Sequence, residues 1–151
     1  MKLTRDEWFL VIFNLVYIIG FAIYYISIRD YEFLWYVLVL VILFTLVAST
    51  LHKSKFDYLI LWGLSLWGLM HMAGGGLIVS GAVLYKLKLI YLFDIGDTYI
   101  LKFDQFVHAF GFGVTTLVAW HLLKPYLNNK VNYKIIYPMV VLIAMGAGAF
   151  K

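Results

Sequence analysis

The chain has 151 residues, of which 64% are hydrophobic and only 13% are charged, and its formal net charge is +4. A soluble domain is about 25% charged, and a domain of this size has too little interior to bury so much apolar surface. The composition therefore excludes an ordinary soluble globule. The absence of cysteine excludes disulfides and thiolate metal sites, and no basic block of the kind that binds nucleic acid is present.

Five apolar segments approach the length of about 20 residues that crosses a bilayer. We predict an all-α, polytopic membrane bundle of about five transmembrane helices in a single domain over residues 1–151. The first segment is too long for the apolar region of a cleavable signal peptide and has no small-residue cleavage site, so we expect it to be retained. The predicted helices cover residues 8–28, 34–51, 58–78, 105–123 and 133–150.

The connection between the third and fourth helices is the longest, from Gly81 to Asp104. Within it, "KLIYLFDIGDTYILKF" contains two β-rich runs around a turn, and Asp94 and Asp97 are typical turn residues. We predict a small hairpin that lies on the membrane surface. An amphipathic interfacial segment is the alternative.

Lysine and arginine are slightly more frequent in the segments that share a side with the N-terminus. The positive-inside rule then predicts a multi-pass protein of the cell (inner) membrane with a cytoplasmic N-terminus and an outer third loop. Tyrosines near the helix ends, including Tyr24 and Tyr25, fit an interfacial aromatic belt. Asn14, in the first helix, is expected to form an interhelical hydrogen bond.

Ionisable residues within membrane helices are costly and indicate function by default. Asp104 and His108 are one turn apart, so they share a face of the fourth helix. His71 lies towards the end of the third helix. Because consecutive helices run in opposite directions, all three side chains are expected at one depth on the outer side.

Two chemistries fit these three residues. Two imidazoles and a carboxylate can hold a divalent metal such as Zn²⁺ with one position left open, so His71, Asp104 and His108 are candidate metal ligands. Alternatively, Asp104 orients a histidine that acts as a general acid or base. We expect Gly74 and Gly75 to let the third and fourth helices approach closely around the site. A purely structural alternative is that Asp104 caps its helix and the glycines only pack.

Three stretches, "LMHMAGGGLIVSGAVLY", "LKFDQFVHAFGFGVTTLVAWHLL" and "MGAGAF", resemble the YjdF-like family of small prokaryotic inner-membrane proteins of unknown function. The Asp-x-x-x-His pair at a helix start is also faintly similar to VanZ-like proteins. The resemblance implies a polytopic helical protein and supplies no activity. The positions that match the family pattern are His71, Gly74, Gly75, Tyr85, Asp104, His108 and Gly111.

The resemblance adds Tyr85 as a proton or hydrogen-bond partner in the site. It also implies acidic residues after "GAGAF" in the fifth helix, where this sequence has Lys151. A carboxylate at that point would reach the depth of His71 and His108. The expected site is therefore either built from three polar groups or belongs to a shortened version of the family.

We thus expect a His/Asp site near the outer leaflet, with catalytic roles for His71, Asp104, His108 and Tyr85. Membrane lipids are the expected partners, and a lipid or lipid-linked molecule is the expected substrate. A proton-coupled transporter is the first alternative, because His/Asp chains also relay protons, although no internal repeat is visible. The second is a non-catalytic subunit or scaffold that forms homo-oligomers or binds partner membrane subunits.

Overall fold

The computed structural model describes residues 3–91, 99–128 and 130–149. Within these ranges the fold is mostly helical, with five α-helices and a small β region between the third and fourth. Phe150, the last residue of the predicted fifth helix, lies outside the described residues. The helices are α1 (Arg5–Ser27), α2 (Tyr31–Ser54), α3 (Tyr58–Gly76), α4 (Phe103–Leu123) and α5 (Tyr133–Ala149).

Side-chain caps determine where the first three helices begin. Thr4 and Glu7 form a capping box at α1, in which each side chain accepts a hydrogen bond from the other residue's backbone N–H. Asp30 and Asp57 accept backbone N–H bonds at the starts of α2 and α3. These caps explain why α1 and α2 begin before the predicted residues 8 and 34, since the apolar pattern starts inside the capped turn.

Three helical segments are long and apolar enough to cross a membrane: Arg5–Ser27, Tyr31–Ser54 and Phe103–Tyr126. The last includes a 3₁₀ turn that follows α4. α5 is apolar but shorter. These segments make the chain a candidate multi-pass membrane protein, whereas the prediction of five spans is supported for three helices.

α3 falls outside this group because polar and glycine residues interrupt its apolar sequence. It is the central helix of the bundle and contacts α1, α2 and α4, whereas α5 packs on α4. Nine of its 19 residues are buried. A helix enclosed in this way needs less apolar surface towards lipid than a peripheral one does.

The predicted hairpin is present in the long connection. Strand β3 (Lys88–Tyr91) pairs antiparallel with β4 (Tyr99–Lys102), and α4 follows β4 directly. The predicted turn residues Asp94 and Asp97 lie outside the described residues.

A second, shorter ribbon precedes this hairpin and was not predicted. Strand β1 (Ile78–Val79) pairs antiparallel with β2 (Ala82–Val83). The turn between them has positive φ at both central residues, 52° at Ser80 and 79° at Gly81. This is the conformation of a type I′ hairpin turn, which the Ser-Gly pair permits. The β region therefore turns the chain back over the end of α3 immediately after that helix ends.

A buried polar cluster joins α1 to α3 in the interior. The Asn14 amide donates to the hydroxyl oxygen of Ser65 at 2.7 Å and to the Leu10 carbonyl at 2.8 Å. The Tyr17 hydroxyl donates to the Asn14 side-chain oxygen at 2.8 Å. The predicted interhelical hydrogen bond of Asn14 is confirmed, and Ser65 is its partner.

Candidate functional site

Tyr85 covers His71 at the end of α3. It belongs to a 3₁₀ turn, Leu84–Lys86, which a backbone hydrogen bond from Leu84 to the Leu77 carbonyl holds close to α3. The Tyr85 hydroxyl oxygen lies 2.7 Å from Nδ1 of His71 and 3.0 Å from the carbonyl oxygen of the same residue. The two rings meet nearly edge-on, with centroids 5.9 Å apart.

These two contacts favour one tautomer of His71. The carbonyl oxygen can only accept, so the single hydroxyl hydrogen of Tyr85 is donated to it. The hydroxyl oxygen then accepts from Nδ1–H of His71, which leaves the lone pair on Nε2. An imidazole in this state has a free basic nitrogen and an anchored opposite edge, which is the arrangement required of a general base.

The three glycines at the end of α3 each face one aromatic ring from a different element. Gly74 contacts the ring of Tyr85, Gly75 that of Phe33 in α2, and Gly76 that of Tyr25 in α1. A Cβ atom at any of these positions would overlap the ring that it faces. The glycines therefore admit three rings around the helix end, one of which is the ring that covers His71.

This arrangement corrects the predicted role of Gly74 and Gly75, because the atoms nearest to a Cβ at these positions belong to Tyr85 and Phe33 and not to α4. That contact is close elsewhere, where Gly111 of α4 faces the indole of Trp67. The close approach was assigned to the wrong glycines of α3, because Gly63 is the one that faces α4, at the side chain of Val114.

Tyr25 also differs from its prediction as an interfacial belt residue. Its side chain is fully buried, and its hydroxyl donates to the Met72 carbonyl at 2.6 Å. The Tyr24 hydroxyl donates to the Gly76 carbonyl at 2.9 Å. The carbonyl of Gly76, the last residue of α3, lacks a donor within the helix, and the Tyr24 hydroxyl supplies one. The position of a tyrosine near a helix end does not show whether it lies in the interfacial aromatic belt or donates a hydrogen bond to a neighbouring helix.

Asp104 and His108 form a pair on the first turns of α4. Nε2 of His108 lies 3.2 Å from Oδ1 of Asp104, and the two side chains are 51% and 46% exposed. The helix begins at Phe103 with Lys102 as its N-cap, so Asp104 lies within the first turn. Asp104 thus pairs with a histidine, as its spacing predicted, and is not the capping residue of the structural alternative.

The structure brings the four predicted side chains to one end of α3 and α4. Asp104 and His108 are close enough to His71 to interact with it electrostatically, and Asp104 also acts on Tyr85. Burial, with a smaller contribution from the Asp104 carboxylate, raises the pKa of Tyr85 well above its usual value. Tyr85 therefore keeps its proton, which is the hydrogen it donates to the His71 carbonyl.

The predicted metal site is not formed. Across residues 3–91, 99–128 and 130–149, no group of three or more histidine, aspartate or glutamate side chains is arranged to hold a metal ion. Nδ1 of His71 already contacts Tyr85, and Asp104 pairs separately with His108. We therefore correct the assignment of His71, Asp104 and His108 as a set of Zn²⁺ ligands. The arrangement fits hydrogen bonding and proton transfer.

The chain matches no family model, and comparisons with curated proteins and with solved structures give no match. The likeness to the YjdF-like family stays a prediction from sequence motifs.

Proposed function

We propose that this protein is a multi-pass membrane protein with an acid–base site that acts on the headgroup of a membrane lipid or lipid-linked molecule. The observation that supports it best is the pair formed by Tyr85 and His71, which leaves Nε2 of His71 basic. In this proposal all five helices lie within the membrane and α3 is enclosed by its neighbours.

The position of the site along the helices supports a substrate at the membrane surface. At about 1.5 Å per residue, His71 lies roughly 20 Å from the start of α3, and Asp104 lies at the start of α4. Both positions belong to the same end of the bundle. The half-exposed side chains of Asp104 and His108 are accessible to a headgroup.

Each residue has a distinct role in the proposal. His71 removes a proton from a nucleophilic hydroxyl group or water molecule through Nε2, and Tyr85 holds its ring. His108 returns a proton to the leaving group, and Asp104 orients it and stabilises its charged form. General acid–base catalysis of this kind contributes about 10²–10⁴-fold to a rate.

The test uses purified protein in liposomes of defined composition, containing phosphatidylethanolamine, phosphatidylglycerol and cardiolipin. Mass spectrometry of the lipids after incubation detects any change in the headgroups. We expect a changed headgroup with the unsubstituted protein. With His71→Ala, we expect the rate of that change to be lower by a factor of at least about 10². Tyr36→Phe is the matched control, because that ring also contacts His71, with centroids 5.8 Å apart. Intact headgroups with the unsubstituted protein would contradict an activity on these lipids.

A proton-coupled carrier is the second candidate function, and one observation favours it. The polar cluster of Asn14, Ser65 and Tyr17 is buried in the same bundle, away from the surface site. Polar groups inside membrane helices commonly mark proton or substrate pathways. Proton flux into dye-loaded liposomes that is abolished by Asp104→Asn, without headgroup chemistry, would favour the carrier over the enzyme.

A further inference from the structure

A cavity of about 170 Å³ lies between α1, α2 and α3, away from the His71 site. Its walls are mostly aliphatic, and Asn14, Tyr17 and Ser65 stand at one end. Glu7 is the charged residue among the described residues that line it. Its apolar walls include Leu10, Leu43, Phe44, Val47, Leu61 and Leu64.

The cavity extends along the helix axes from the N-terminal surface towards the middle of the bundle. The Thr4 hydroxyl lies 3.2 Å from the Tyr58 hydroxyl, so the starts of α1 and α3 are at the same surface. Glu7 lies near that surface and Tyr17 lies ten residues further along α1, or about 15 Å. This is about half of the 30 Å hydrocarbon core, the depth that one acyl chain occupies in one leaflet.

The walls of the cavity favour an apolar occupant. The amide of Asn14 donates to Leu10 and Ser65, and Tyr17 donates to Asn14, so these polar groups bond with one another. Cavities lined by apolar groups stay dry and bind apolar molecules of matching size. In a membrane, the apolar molecules present at high concentration are lipid chains.

The mouth of the cavity adds a charge preference. Glu7 is a half-buried acidic residue at the mouth, and its carboxylate accepts a hydrogen bond from the Thr4 backbone at 2.7 Å. A fixed carboxylate attracts an ammonium group and repels an anionic headgroup. We propose that the cavity binds one acyl chain of a phospholipid with an ammonium headgroup, such as phosphatidylethanolamine, in the leaflet next to the N-terminus. This site is separate from the proposed acid–base site and does not depend on it.

The test uses phosphatidylethanolamine with a photoreactive diazirine in its acyl chain, in nanodiscs that hold the full-length protein. After illumination, mass spectrometry maps the labelled residues. We expect labelling at the cavity residues Leu61, Val47 and Leu64 to exceed labelling on the exposed face of α5. Ala48→Phe fills the cavity, because Ala48 is one of its small wall residues. Excluding two chain methylenes lowers binding by about tenfold, so cavity labelling should fall to that extent.

Two further variants make the result specific. Ser49→Phe places the same ring at the next position of α2, where the side chain is exposed, and should leave cavity labelling unchanged. Glu7→Gln keeps a capping-box acceptor and removes the charge. In this variant, labelling by phosphatidylethanolamine should fall to the level that photoreactive phosphatidylglycerol gives with the same variant.

Labelling that is equal in the cavity and on exposed faces would overturn the acyl-chain site. An equal loss in Ala48→Phe and Ser49→Phe would also overturn it. Equal labelling by the two lipids in the unsubstituted protein would overturn the ammonium preference. Headgroup chemistry at His71 is measured separately, so its failure leaves these outcomes distinct.

Discussion

The Tyr85 hydroxyl contacts His71 twice, at Nδ1 of the ring and at the backbone carbonyl oxygen, at 2.7 and 3.0 Å. One contact alone would restrict the rotation of the imidazole. The two together also favour a proton on Nδ1 of the imidazole, because the carbonyl can only accept and therefore takes the hydroxyl hydrogen of Tyr85. A residue from the loop thereby favours one tautomer of a residue in the central helix.

Replacing Tyr85 by phenylalanine should therefore alter both stability and tautomer. Loss of the hydroxyl removes both contacts, and we expect the free energy of unfolding to fall by about 1 kcal/mol. The nitrogen NMR signals of His71 should also lose the pattern of a single Nδ1–H tautomer. Tyr36→Phe removes a hydroxyl from another ring beside His71 and should leave the pattern intact. An unchanged tautomer in Tyr85→Phe would contradict the assigned hydrogen bonds.

Alanine at Gly74 should destabilise the protein through a steric overlap. Its Cβ atom would overlap the ring of Tyr85, and overpacking of this kind costs about 1–3 kcal/mol. Gly113 is the matched control, because a Cβ atom there has no neighbour within 4 Å. Alanine at Gly113 should stabilise α4 by about 0.5–1 kcal/mol. Thermal unfolding in detergent compares the two variants, and equal effects would show that Tyr85 does not sit against Gly74.

The pair of Asp104 and His108 should contribute little to stability. Both side chains are about half exposed, and exposed ion pairs contribute about 1 kcal/mol or less. We expect Asp104→Asn and His108→Gln to leave the unfolding midpoint nearly unchanged while they abolish the proposed headgroup chemistry. Asp6→Asn, in the exposed contact with Arg5, provides a comparison for a surface pair. A large loss of stability in Asp104→Asn would instead assign the pair a structural role.

The hydrogen bond between Asn14 and Ser65 can be measured by a double-mutant cycle. The variants Asn14→Ala and Ser65→Ala, alone and together, isolate the coupling between the two side chains. Interhelical hydrogen bonds in membrane proteins contribute about 0.6 kcal/mol on average, and we expect a coupling of that size. Ser49→Ala replaces Ser65→Ala in the control cycle, since the Ser49 hydroxyl donates to the Leu46 carbonyl of its own helix. A coupling as large with Ser49 as with Ser65 would contradict the interhelical bond.

The sequence predicted the grouping of the site residues because that grouping depends on helix order and spacing. Alternating helix directions place His71 near Asp104, and a separation of four residues places Asp104 beside His108. These relations need no knowledge of how the helices rotate about their axes.

Rotation and long-range packing were the parts that the sequence could not supply. Gly75 and Gly76 of α3 face the rings of Phe33 and Tyr25, which come from other helices, and the sequence of α3 alone does not reveal these partners. A tyrosine near a helix end can lie in an interfacial aromatic belt or be buried with its hydroxyl bonded to the backbone of a neighbouring helix. The sequence does not distinguish the two, so Tyr25 was assigned to the wrong environment. The metal site failed for the same reason, since similar depth does not determine whether ligands converge.

The contact between Tyr85 and Gly74 also has a consequence for biogenesis. Tyr85 follows α3 in the chain, so α3 leaves the ribosome before the residue that completes its end. Until the 3₁₀ turn has folded back, His71 lacks its hydroxyl partner and Gly74 lacks the ring that packs against it. The hydrogen-bonded pair of Tyr85 and His71 is therefore absent from a nascent chain that ends before Tyr85, and it forms only when the loop has joined the bundle.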